Sequence, residues 1–494
     1  MKIDQMSKRL FDGLFHVVLS LMLIDWAVKL PFSFHGIGIY EIAFILLGCV
    51  SLIRLFFEKG AVFQNVMQML RASKWNVFAL AGYLLMGIAT LFYAQTLHYA
   101  LAKYIVVVQM LFFGVCFFYY VSVHKKGYTT ALKAIYVNIG LSAAFSAIWG
   151  MIEYFFFTVD KYPPVVSPIN DYNQYSTILL IGLVSMAFFV IKSQLPPVKK
   201  YFIAGAVGCA VIPSVVVSGS RRSYVILLFI AALLLLYALG FELFRFTKRK
   251  TTKRQLLSGI CGVLICAVCI CSGSSLLKNV VVSNSGKPVG GISAGSNNNT
   301  SDPTSPPPSD PSAPSVPSEP LTPESSLAPD RLSNGFDFGK RITIWRIAVQ
   351  ELQQYNVQSL LFGQGASHSS DIYDDLNNPL VKQLHASYGY NNVTPAEKNW
   401  MNAHNLFLQD VLDGGLVLLF LQIAMILSAA VYTIKIMRVD FTRGLVLGLL
   451  YCILLVTLCL SSASGIISNK FFWLITMLQM TEYFTIKGET EKAP

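Results

Sequence analysis

Residues 415–434 read GLVLLFLQIAMILSAAVYTI, twenty residues without a charge. A bilayer core about 30 Å thick is crossed by roughly 20 apolar residues in helical form, so this stretch predicts a transmembrane helix. The same length rule, carried outward along the chain, finds spans at 11–30, 36–57, 76–93, 97–123, 130–157, 172–191, 201–217, 223–244, 256–277, 444–461 and 467–484. The first lacks a small-residue cleavage site and carries Asp25 and Lys29, which separates it from a signal peptide. The expected fold class is therefore an all-α polytopic membrane protein of about twelve transmembrane helices.

Composition agrees. Of 494 residues, 54% are hydrophobic and only 13% charged, and mean hydropathy is +0.55. Soluble domains carry about 25% charged residues. A single soluble domain, a disordered scaffold and a nucleic-acid-binding protein are all excluded. The net charge of +12 sits between the apolar runs, where it reports topology. One side receives Lys2, Lys8, Arg9, Arg54, Lys59, Arg71, Lys74, Lys125, Lys126, Lys192, Lys199 and Lys200. It also receives the cluster 245–254, then Lys435, Arg438, Arg443 and Lys487, whereas the opposite short loops hold little beyond Lys161, Arg221, Arg222 and Lys470. By the positive-inside rule both termini are expected in the cytoplasm. The chain then divides into spans one to nine (1–277), one large external loop (278–403), an entry helix with spans ten to twelve (404–486), and a short cytoplasmic tail (487–494).

Within that loop, residues 283–330 hold more than half of the chain's 21 prolines and no aromatic residue. Such a tract cannot bury enough apolar surface to offset its ordering entropy and reads as a disordered tether. Residues 331–403 regain aromatics and helix formers. RITIWRIAVQELQQY (341–355) places Ile344, Ala348 and Leu352 on one helical face. HNLFLQDVL (404–412) reads as a second amphipathic helix entering the tenth span.

Familiar soluble chemistries find no foothold. Cys261, Cys266, Cys269 and Cys271 scatter around a helix in apolar sequence, where thiols behave as small hydrophobes. No P-loop and no H-E-x-x-H occurs. Asp371, Asp374 and Asp375 read better as solvated charge than as a metal site, so no metal and no cofactor is expected. What remains is polar groups where apolar helices meet the outside: Asn173 and Gln174 opening the sixth span, the turn SGSRRS (218–223), Arg341, and His404 with Asn405. Ionisable groups near membrane depth are functional hypotheses by default. Guanidinium groups bind phosphate oxygens bidentately and stabilise a departing diphosphate without metal. A neutral imidazole accepts a proton from an incoming hydroxyl. Glycosyl transfer from a lipid-linked pyrophosphate fits this set; so, from the residues alone, does an anion transporter.

Four motifs resemble the O-antigen ligase and Wzy-type polysaccharide polymerase superfamily of membrane glycosyltransferases. DYNQYSTILL (171–180) is similar to its Asn-Gln element, matching Asn173 and Gln174. SGSRRSY (218–224) is similar to its Gly-Ser-Arg turn, matching Arg221 and leaving Arg222 where a small residue is usual. GKRITIWRIAVQELQQYNVQSLLFGQG (339–365) resembles its Arg-x-x-x-Trp helix and following Gly-x-Gly through Arg341, Trp345, Gly363 and Gly365. AHNLFLQDVLDGGLVLLFL (403–421) resembles its His-Asn element through His404, Asn405 and Gly415. The resemblance implies an undecaprenyl-pyrophosphate-linked glycan as donor and a metal-independent inverting transfer to an acceptor glycan. It implies arginines, Arg221 and Arg341 with Arg222 beside them, on the pyrophosphate, and His404 near the acceptor. It further implies a multi-pass protein of the bacterial plasma membrane with an outward-facing site, membrane lipids around it, chain-length regulators or flippases as partners, and no nucleic acid. The proline-rich tether is outside the common pattern and points to a thick-walled cell without lipid A. Polymerisation of repeat units into an exopolysaccharide or teichuronic-acid-like polymer is then preferred over ligation of a finished glycan, with a flippase the third reading.

Overall fold

A computed structural model describes residues 2–27, 33–34, 37–57, 60–124, 128–156, 172–193, 197–218, 220, 222–223, 225–230, 232–233, 339–387, 402–460 and 465–490. The tether 283–330, the expected span 256–277 and most of 223–244 lie outside the described residues.

The first half is a succession of long helices: α1 (Lys2–Ala27), α2 (Ile39–Phe57), α3 (Ala61–Ala72), α4 (Lys74–Leu91), α5 (Leu97–Val123), α6 (Tyr128–Phe156), α7 (Tyr172–Lys192) and α8 (Pro197–Val217). A two-residue antiparallel pair, β1 (Ser33–Phe34) with β2 (Ile37–Gly38), turns the chain between α1 and α2. Among the described residues the second half contributes four short helices, α9 (Gly339–Gln353), α10 (Val357–Phe362), α11 (His368–Asp371) and α12 (Pro379–Ser387), then three long ones, α13 (Leu406–Val439), α14 (Phe441–Leu460) and α15 (Lys470–Thr490).

The long helices form because their apolar residues recur at helical spacing and their partners bury those faces. On α1, Phe11, Phe15, Val18, Leu19, Met22 and Leu23 are all buried, a stripe at intervals of three and four. α1 packs on α2 and α6, α6 on α7 and α8, and α14 joins α7 to α13. α15 runs through the middle, touching α3, α5, α6, α13 and α14, and is buried along nearly its whole length. Outward-facing positions are apolar too: α4 exposes Trp75, Phe78, Leu85 and Ile88, and α13 exposes Phe420 and Leu427. An apolar interior wrapped in an apolar exterior needs lipid as its solvent.

Six described helices are long and apolar enough to cross a membrane: those at 74–91, 104–123, 129–152, 174–192, 406–439 and 441–460. The chain is thus an all-α membrane protein, and the twelve-span count is reached only in part. Four further expected spans are helical but do not meet that measure. For α8 the apolar stretch among the described residues is Ala206–Val215, shorter than a span.

The helix ends sort into two sets. At one, Arg54 of α2 is held by Asp4 and Ser7 of α1 and by Tyr119 of α5, and Lys192 of α7 meets Asp440 between α13 and α14. This is the end rich in lysine and arginine. At the other, the short helices α9 to α12 form a cap.

Candidate functional site

The cap owes its fold to a small apolar core of its own. Ile344, Ile347 and Ala348 of α9 pack with Ile372, Tyr373, Val381 and Leu384. Ala403 and Leu412 complete that core, with Trp345 and Leu408 against it. The face expected from 341–355 is therefore the one buried. Arg341 sits in the first turn of α9, half-buried, and His404 follows Ala403 directly. The helix that carries the arginine and the turn that carries the histidine converge on one core.

Polar contacts fix this core from inside. Tyr373 donates its hydroxyl to the Ile344 carbonyl at 3.1 Å, and His385 Nε2 lies 2.8 Å from the Tyr373 carbonyl. Burial pushes the Tyr373 hydroxyl above its usual range, so it stays a donor. Tyr355, raised by burial and then by the charges of Glu351 and Asp413, donates to the Leu412 carbonyl at 3.3 Å.

His404 has an unusual backbone. Its φ is +45°, in the left-handed region, and its amide donates to Asn402 Oδ1 at 2.9 Å. Non-glycine residues pay for this conformation and keep it where surrounding structure dictates it. Asn405 is next and caps α13: its Oδ1 accepts the amides of Phe407 and Leu408 at 3.0 and 3.1 Å. Asn405 thus aims the helix, and His404 stands on the cap's entry turn.

The glycines explain how the cap docks. Gly363, Gly365 and Gly415 have φ of +76°, +105° and +66°. A Cβ on Gly363 would strike the backbone of Asp413, and one on Gly415 the backbone of Leu361. Two loops therefore cross with no side chain between them. The crossing is stitched by Gln364 and Gly365 amides donating to the Leu412 and Asp413 carbonyls, both at 3.0 Å. Gly415, with ψ of −166°, also breaks the helical geometry of α13, so its first turns leave the axis of the span and turn under the cap.

The cap is tied to α4 and α5 as well. The Ala366 amide donates to the Thr90 carbonyl at 3.1 Å, Tyr93 to the Phe362 carbonyl at 2.7 Å, and Thr96 to both oxygens of Asp371 at 3.0 and 3.1 Å. Asp371, expected as solvated charge, is a docking residue.

Two carboxylates at the base were missed by the sequence reading. Asp410 and Asp413 lie on the first turns of α13 and are both buried. Asp410 accepts the Tyr83 hydroxyl at 2.7 Å, and Asp413 accepts the Ser369 amide at 2.8 Å. Their signal was visible as two acids three residues apart, directly before an uncharged span.

The remaining expected residues stand at the same end, on other helices. Asn173 and Gln174 open α7. Gln174 Oε1 and Trp345 Nε1 are buried and make no hydrogen bond among the described residues, which leaves each able to take a polar ligand group. Arg221 lies outside the described residues. Arg222 turns inward, donating to the Thr457 carbonyl at 3.2 Å and to Thr177 Oγ1 at 3.3 Å. The same turn is knit by Ser220, Ser223 and Ser176, with Ser223 and Ser176 hydroxyls 2.6 Å apart. Thr457 is near the end of α14, and Gly465, on the return to α15, stands beside Gln409 of α13. No family model matches this chain, and no curated protein matches it.

Proposed function

We propose that this protein is a membrane glycosyltransferase that joins lipid-linked repeat units into a cell-surface polysaccharide. The observation that carries the reading is the convergence of α9, with Arg341 and Trp345, and the strained His404 turn on one cap core, over the polar end of a membrane bundle. In the reaction, the acceptor hydroxyl oxygen attacks the anomeric carbon of the donor sugar. The bond from that carbon to the pyrophosphate oxygen breaks, and undecaprenyl pyrophosphate leaves with the electron pair. His404 takes the hydroxyl proton. Attack opposite the leaving group inverts the anomeric centre. Arg341 and Arg221 carry the developing diphosphate charge, while Arg222 is engaged between α7 and α14. Trp345 Nε1 is a donor for a sugar or phosphate oxygen, and Gln174 Oε1 is an acceptor for a sugar hydroxyl. The site faces the exterior, because the cap lies opposite the Lys/Arg-rich end. The full topology is twelve spans with both termini in the cytoplasm.

The test is purified protein in lipid with an undecaprenyl-pyrophosphate-linked repeat unit. Arg341→Lys keeps the charge and loses the planar fork, so turnover falls sharply. His404→Ala lowers turnover about 100-fold or more, and its residual rate rises with pH. Wild-type polymerisation by His404→Ala, or loss of activity in EDTA restored by magnesium, refutes the mechanism.

A further inference from the structure

The Lys/Arg-rich end of the bundle, remote from the cap, carries two concavities that meet at one side chain. The first is a groove of 640 Å³ along α6, walled by Ala134, Val137, Leu141 and Phe145 with Ile24 of α1 and Phe189 of α7. Its lining on α6 runs from Thr130 to Phe145, about 22 Å at 1.5 Å per residue. That exceeds half of a hydrocarbon core about 30 Å thick, the reach of one leaflet. The polar groups in its floor are turned on each other: Asn138 Oδ1 accepts Ser20 at 2.8 Å and Ser142 at 3.2 Å, and Asn138 Nδ2 donates to the His16 carbonyl at 3.0 Å. The groove so presents an apolar surface.

The second is a cleft of 140 Å³ lined by Thr129, Leu132, Lys133, Phe188, Lys192, Arg443 and Glu482. Its lining holds three cations and one carboxylate. Lys192 is paired at 2.6 Å with Asp440, which Arg443 Nε also meets at 3.3 Å, and Arg443 Nη1 stands 3.6 Å from Glu482 and 3.5 Å from Glu489 without a hydrogen bond among the described residues. Lys133 lines both cavities, and no ion pair or hydrogen bond forms at it among the described residues. A snorkelling lysine alone would be ordinary. A lysine set between a leaflet-long apolar groove and a cleft with two further cations matches an amphiphile with an acyl chain and an anionic head.

We infer that groove and cleft together bind one anionic phospholipid of the adjoining leaflet, its chain along α6 and its phosphodiester at Lys133, Lys192 and Arg443. A zwitterionic lipid brings the same phosphate with an added cation that Lys133 repels, so the site selects by head-group charge. This binding is independent of the reaction proposed at the cap.

The experiment is native mass spectrometry of the purified full-length protein with equimolar dioleoylphosphatidylglycerol and dioleoylphosphatidylcholine. Wild type retains the phosphatidylglycerol with about a 5-fold preference, the scale of one basic side chain at a leaflet surface. Lys133→Gln abolishes the preference and Lys133→Arg keeps it. Ala134→Trp, which fills the groove, lowers retention of both lipids. Equal retention of the two lipids by wild type overturns the inference and does not depend on any variant folding. So does displacement of the lipid by soluble glycerol 3-phosphate at equal concentration, which would make the cleft a site for a free anion.

Discussion

Gly365→Ala tests whether cap docking holds the candidate site together. At φ +105° an alanine is strained, by about 1–3 kcal/mol for backbone in such sparsely populated regions. The added Cβ would lie 2.5 Å from the Tyr93 carbonyl oxygen and 2.8 Å from its carbon. Both are backbone atoms at the end of α4, so neither can rotate aside. Relief requires the loop 363–366 to lift, which breaks the Gly365–Asp413 and Ala366–Thr90 hydrogen bonds. Each contributes about 0.5–1.5 kcal/mol. Retained strain and its relief are alternatives, so the docked state loses about 1–3 kcal/mol, a rise of about 5- to 140-fold in the undocked population at 1.4 kcal/mol per tenfold. Hydrogen–deuterium exchange reads it directly. Amides 364–372 lose protection by that factor, while those of α15, which packs mainly on α3, α5, α13 and α14, do not change. If the proposed glycosyl transfer holds, its turnover falls in parallel, since α9 and the His404 turn lose their common support. Unchanged exchange at Ala366 and Ser369 in a folded Gly365→Ala protein would refute the docking argument.

Two glutamines inside the bundle predict opposite outcomes. Gln479 is fully buried and bonds Asn76, Tyr451, Thr433 and the Ala429 carbonyl at 2.6–3.1 Å. Gln479→Leu leaves those groups without a partner and costs about 1–3 kcal/mol, read as thermal unfolding in detergent. Gln422 is equally buried, yet neither amide atom has a hydrogen-bond partner among the described residues, so Gln422→Leu is neutral or stabilising in the same assay. At the α13–α14 turn, burial raises the Asp440 pKa, but hydrogen bonds from Lys192 and the Arg443 amide and the charges of both bring it below the usual value. A depressed carboxylate stabilises above its unfolded pKa, and that contribution is lost as pH falls through the folded one. Lys192→Met therefore raises the Asp440 pKa and weakens the acid dependence of unfolding; carbon-13 NMR of the carboxylate checks it. For topology, cysteines at Ser312 and Ser325 are labelled from outside the cell and a cysteine at Arg249 is not, with the reverse pattern overturning the orientation.

The sequence determined that this is a helical membrane protein, because length and hydrophobicity of a span are local properties. An uncharged run such as 415–434 has few alternatives in lipid. It also determined the buried face of α9, since Ile344, Ala348 and Leu352 repeat at helical spacing. The glycines at 363, 365 and 415 were legible as residues, through a resemblance, and not as a cause. Only the tertiary structure shows that they let two backbones cross, because positive φ and close approach arise from partners far apart in sequence. The same limit hid Asp410 and Asp413. Two acids before a span look like solvated charge until Tyr83, 327 residues from Asp410, and the Ser369 amide are seen to meet them. It also decided Arg222, which reads as a phosphate ligand in a Gly-Ser-Arg turn and folds inward to Thr457 and Thr177. A side chain's chemistry is written in its residue type. The partner it spends that chemistry on is set by packing between helices that the sequence lists one after another and the bundle places side by side.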